Sequence, residues 1–160
     1  MKKIFAILAA SVFGVGVFSS HGQTNQNEFR QGEVDISPFA TYVDKAGGKW
    51  GVGAAATYYL TKNLGLGAAT YWTDFNTTLF ENAAAEAYFR FARFDRVAPY
   101  AVGSIGYQFN AGYWFETIGG GVQVRILERL SGFSDLQYRI ADNWRSQDGV
   151  FLRVGVSISF

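Results

Sequence analysis

The feature that most restricts this chain is a strict two-residue alternation near its C-terminus. Leu152, Val154, Val156, Ile158 and Phe160 occupy one phase, and Arg153, Gly155, Ser157 and Ser159 the other. A period of two is the signature of an extended strand with unlike faces. The pattern recurs as Ile118, Val122, Val124 and Ile126 against Thr117, Gly119, Gly121, Gln123 and Arg125. It recurs again as Leu79, Ala83, Ala85, Ala87, Phe89 and Phe91 against Asn82, Ala84, Glu86, Tyr88 and Arg90. Short polar breaks centred near 62, 95 and 128 are spaced by 33 residues. One further period in each direction gives 29 and 161, so four hairpins fit between them. Each hairpin needs a second connection, expected at Asp44–Lys49, Thr73–Thr78, Asn110–Gly112 and Ala141–Gly149. The result is eight strands of about ten residues, the length a tilted strand needs to cross a bilayer.

Composition narrows the class. Charged residues make up 17%, apolar residues 49% and aromatic residues 18% of the 160 positions. Such a chain is too rich in apolar side chains to be disordered and long enough for one domain. It has no cysteine, which removes disulfides, thiol nucleophiles and cysteine-ligated metals. A net charge of +1 without a basic run gives no footprint for nucleic acid. Residues 1–22 read as a cleavable signal peptide: Lys2 and Lys3, an apolar stretch from Ile4 to Phe18, then Ser20 and Gly22 at a cleavage site. Its loss removes Lys2, Lys3 and His21 and turns the net charge to −1. Residues 23–30 form a short polar segment, and 31–160 the folded domain. No cysteine follows the expected cut to take a lipid anchor, and no later run reaches the 18 apolar residues of a spanning helix.

The two strand faces decide the environment. A soluble barrel carries charge on its outer side, yet the less apolar face here is mainly Gly, Ser, Thr, Asn and Gln with sparse ions. A small transmembrane barrel reverses the order, with apolar side chains toward lipid and small polar ones inside. Closure also removes the strand edges that lipid does not tolerate. Aromatic residues collect near both strand ends, as expected of a girdle at each headgroup level; Tyr58, Tyr59, Trp72, Phe89, Tyr100, Trp114 and Tyr138 represent it.

The stretch Tyr59-Leu60-Thr61-Lys62-Asn63-Leu64-Gly65-Leu66-Gly67-Ala68, the Pro99-Tyr100 strand start and the alternation ending at Phe160 resemble the small eight-stranded outer-membrane barrels of Gram-negative bacteria, of the OmpX and OmpA transmembrane-domain type. The resemblance covers about residues 31–160. It implies an all-β, eight-stranded antiparallel up-and-down transmembrane β-barrel in the cell outer membrane, in contact with lipid and lipopolysaccharide. It also implies delivery by the outer-membrane insertion machinery, with Leu152, Val154, Val156, Ile158 and Phe160 as the insertion signal. Relatives that tether the cell wall carry a further periplasmic domain, which is not found before Phe160, so no tethering role is expected.

On this assignment Glu33, Asp35, Glu86, Arg90, Arg125, Asp135, Arg139 and Arg153 point inward. Four acids and four bases suggest mutual compensation, because an unpaired buried ion costs several kcal/mol. Folding the last hairpin about Trp144 sets Asp135 opposite Arg153. Such a network fills the interior; the alternative is a polar path for ions, disfavoured by the narrow bore of eight strands. Without its leader the chain has no histidine, which removes histidine bases, triads and histidine-bound metals, so neither catalytic residues nor cofactors are expected. Glu81 with Glu86 and Asp142 with Asp148 read as structural groups rather than paired catalytic acids. The Gly51-Val52-Gly53 and Gly65-Leu66-Gly67 stretches lack the remainder of a phosphate-binding loop and are expected to relieve crowding in strands. The expected function is a non-catalytic integral barrel with a structural or surface-interaction role and an unknown surface partner. A narrow channel and a secreted soluble barrel holding a small apolar ligand are the alternatives.

Overall fold

The computed structural model describes residues 29–44, 48–73, 81–91, 94, 96–142 and 148–160. The leader, residues 23–28, Leu79, Trp144 and most of the loops expected at Thr73–Thr78 and Ala141–Gly149 lie outside them. Eight strands follow in chain order: β1 Val34–Val43, β2 Lys49–Tyr59, β3 Leu64–Tyr71, β4 Asn82–Arg90, β5 Val97–Gln108, β6 Tyr113–Leu127, β7 Leu130–Ala141 and β8 Gly149–Ser159. Each pairs antiparallel with its sequence neighbour, and β1 pairs with β8 to close the barrel. Closure satisfies the backbone within the sheet, the condition for strands in a medium without water.

The closing ladder runs from Asp35 opposite Ser159 to Val43 opposite Phe151. At one end of this seam the Phe160 N–H donates to the Val34 carbonyl at 3.0 Å. Pro38 lies within β1 on the β8 side of a gap in the ladder between Ile36 and Phe39, as expected for a residue without an N–H. Beside it the Ser37 hydroxyl donates to the Ser157 hydroxyl at 3.0 Å, a side-chain stitch across the same gap.

Connections follow the period found in the sequence. Short turns join β2 to β3, β4 to β5 and β6 to β7 at one end, and the other four connections lie at the opposite end. Strand lengths are less uniform than ten residues: β3 has 8 and β6 has 15. The two-residue turn at Glu128 and Arg129 lets β6 and β7 pair almost to their tips, with a register shift between Arg125 and Leu127. Glycines at positive φ, Gly48 and Gly112, turn the chain at the longer-loop end.

Candidate functional site

The alternation sorts side chains as a membrane barrel requires. On β8, Val154 is 49% and Ile158 41% exposed, whereas Arg153 is 1% exposed and its register partner Asp135 2%. The exposed large side chains are mostly apolar and the ions lie inside, where they share the lumen with a buried cluster around Phe39, Tyr71 and Phe115. Of the residues expected to carry an insertion signal, Val154, Val156, Ile158 and Phe160 are exposed and Leu152 is half-buried.

The aromatic set divides. Tyr58, Phe89, Trp114 and Tyr138 are exposed on the outer face, and Trp72 is half-buried. Tyr59 and Tyr100 are not girdle residues: both are buried inside the barrel. The cause is phase. Inward positions of β2 run through Ala55 and Thr57 to Tyr59, and those of β5 from Ala98 to Tyr100 and Val102. Each ring has polar or ionic work inside: the Tyr100 hydroxyl donates to Asp135 at 2.8 Å, and the Arg90 guanidinium sits 3.5 Å from the Tyr59 ring centre.

All eight ionic residues expected inside are buried, in three tiers. At the short-turn end, Arg125 donates to both Glu33 oxygens at 2.7 and 2.9 Å and to the Ser159 hydroxyl at 2.9 Å. Arg90 donates to Gln123 Oε1 at 2.8 Å and lies 3.6 Å from Asp35. Asp35 in turn accepts from the Ser159 hydroxyl at 2.6 Å and from Gln123 Nε2 at 3.2 Å. Phe29, ahead of β1, is buried between these arginines, 4.2 Å from the Arg90 guanidinium and 4.6 Å from that of Arg125. Its ring shields two like charges from each other while offering its face to both.

The middle tier centres on Arg153. Its Nε and Nη2 each donate to Asp135 at 2.9 Å, and Nη1 donates to Glu86 at 2.8 Å. The forked guanidinium thus holds acids from β7 and β4 on opposite walls. Tyr88 donates to Glu86, while Gln137 donates to Asp135 at 3.0 Å and accepts from Thr117 at 2.7 Å. Glycines make the room: a methyl on Gly121 would collide with the Ser134 carbonyl and Asp135, and one on Gly53 with the Tyr71 Cβ and the Phe39 ring.

The third tier departs from one-to-one compensation. Arg139, near the longer loops, has no carboxylate within ion-pair distance among the described residues. It donates to the Tyr71 hydroxyl at 2.6 Å and to Asn82 at 3.3 Å, with its guanidinium 4.2 Å from the Phe115 ring centre. Aromatic faces and neutral acceptors solvate this cation instead. Nearby Glu81 accepts from the Thr73 backbone and hydroxyl and from Gln108, so it holds the mouth of β3, β4 and β5 together. Asp148 accepts from the Ala141 backbone at 2.8 Å, a loop-closing role.

Sequence reasoning did not identify Phe29, Gln123, Ser159, Tyr88 or Gln137 as members of this network. For the four strand residues the inward phase was the available signal; Phe29 precedes β1 and has no strand phase to read. Between the lower two tiers a cavity of about 20 Å³ is lined by Asp35, Tyr88, Tyr100, Gln123 and Arg153 among others. That is room for about one water, not a conduit.

No family model matches the chain, and no curated protein matches it by sequence. Solved structures do. The N-terminal β-barrel domain of Pseudomonas aeruginosa OprF superposes with a TM-score of 0.68 at 15% identity, covering 82% of this chain and 99% of that one. A de novo designed transmembrane β-barrel gives 0.59 at 15% identity, covering 83% and 99%. The outer membrane protein OprG of P. aeruginosa gives 0.58 at 11% identity, covering 85% and 99%. At such identities the likeness defines architecture: the chain has the closed eight-stranded up-and-down fold seen in outer-membrane and designed transmembrane β-barrels.

Proposed function

We propose that this protein is an integral β-barrel of the Gram-negative outer membrane, non-catalytic, with a structural or surface-interaction role. One observation carries the reading: an outer face of exposed Val, Ile and aromatic side chains encloses buried Arg, Asp and Glu. In water that arrangement leaves an apolar belt solvated and ions desolvated, both unfavourable; in a bilayer the belt is matched to acyl chains. The structural likeness to the outer membrane protein OprG supports the same placement. Lipid and lipopolysaccharide are then the surroundings of the belt, the outer-membrane insertion machinery is the partner during assembly, and any surface partner meets the longer loops.

The interior favours a structural plug over a channel. Arg153 spans between Asp135 and Glu86, and the tier below is closed by Phe29 against Arg90 and Arg125. The interior carboxylates Glu33, Asp35, Glu86 and Asp135 each accept from a neighbouring side chain rather than facing an open site, which favours a non-catalytic role. Cell fractionation, followed by electrophoresis of boiled and unboiled samples, tests the reading. Recovery in the outer membrane with a mobility that changes on heating is expected. Recovery in the soluble periplasmic fraction without detergent would reject it.

A further inference from the structure

The three short turns share a feature that neither the fold nor the interior requires. Each places an exposed apolar side chain two residues before an exposed cation: Leu60 and Lys62, Phe94 and Arg96, Leu127 and Arg129. The pairs repeat with the hairpin period, so they stand around one rim. In the third turn the register shift between Arg125 and Leu127 leaves Ile126 and Leu127 both exposed, which sets the apolar residue in place. None of the three cations forms an ion pair among the described residues; the exposed acid beside them, Glu128, lies 3.8 Å from Arg30. Among the described residues, the opposite rim exposes Asp44, Glu116 and Asp142 against Lys49.

We infer that the short-turn rim is a binding collar for anionic phospholipid headgroups. The conclusion rests on the membrane placement proposed above. Each apolar residue and its cation lie two positions apart at a strand end, close enough for the apolar group to enter the acyl region while the flexible cationic side chain reaches phosphate. A lipid supplies both halves of that contact in one molecule, which a soluble anion does not. The charge excess of this rim selects anionic over zwitterionic headgroups.

The test measures association of spin-labelled phosphatidylglycerol and phosphatidylcholine with the full chain in phosphatidylcholine vesicles. Phosphatidylglycerol is expected to be favoured by about fivefold at low salt, from the attraction of one cation near an anionic surface. The preference should shrink in molar salt, where screening falls to about 3 Å. It should approach unity in the Lys62→Gln, Arg96→Gln, Arg129→Gln triple variant and be unchanged in Lys49→Gln at the other rim. Equal association of both lipids with the unaltered chain overturns the proposal. So does a preference that survives the triple substitution, which places its source elsewhere on the barrel. Failure to enter vesicles at all overturns the membrane placement itself, and sedimentation reveals it before any label is read.

Discussion

Replacing Arg153 by methionine isolates what the middle tier contributes. The guanidinium has bonds of 2.9 Å to Asp135 and 2.8 Å to Glu86, and its side chain is 1% exposed. Methionine fills similar length but strands two carboxylates in the lumen. Breaking a buried pair by removing one partner costs about 3–5 kcal/mol, a fall of roughly two to four orders of magnitude in the folding constant. A second variant separates charge from packing: Arg153→Met with Asp135→Asn and Glu86→Gln. The amide oxygens still accept from Tyr100 and Tyr88, while the uncompensated charge is gone. More than half of the lost stability should return. Urea unfolding in vesicles, followed by tryptophan fluorescence and by electrophoretic mobility of unboiled samples, reads both variants. A single variant within about 1 kcal/mol of the parent, or a triple variant no more stable than the single one, refutes the reasoning.

Phe29→Ala should destabilise the barrel by about 3 kcal/mol, since it removes a buried ring and leaves Arg90 and Arg125 facing without a shield; a shift in urea midpoint measures it. Val154→Arg on the outer face should cost about 2–4 kcal/mol in vesicles, whereas a loss below about 1 kcal/mol would place that face away from the bilayer centre. Planar-bilayer recordings of repurified protein should show no discrete conductance steps, because the tiers around Arg153 and Arg90 occupy the bore; reproducible steps that survive repurification would restore the channel reading.

The barrel was legible because period-two alternation and evenly spaced turns are local properties of the chain. Asp135 and Arg153 lie in adjacent strands of one hairpin, so counting back from its midpoint set them face to face, as the register has them. Contacts across the lumen have no such route. Arg125 meets Glu33 and Arg153 meets Glu86 from strands far apart in sequence, and strand tilt and barrel closure set those meetings. Arg139 shows the limit of counting charges, because rings and an amide can surround a cation in place of an acid. Tyr59 and Tyr100 were placed by their distance from a strand end rather than by their phase. Carrying the inward phase from Thr57 or Ala98 forward two residues puts both rings inside.

The membrane placement depends on which strand face meets lipid, and the absence of native cysteine makes this directly measurable. Single spin labels at Val154→Cys, Val156→Cys, Ile158→Cys and Ser157→Cys can be compared in vesicles for collisions with oxygen and with a water-soluble nickel chelate. The even positions should be oxygen-accessible and shielded from nickel, with Ser157 low in both. Nickel access at 154, 156 and 158 together with lipid exposure at 157 would contradict it.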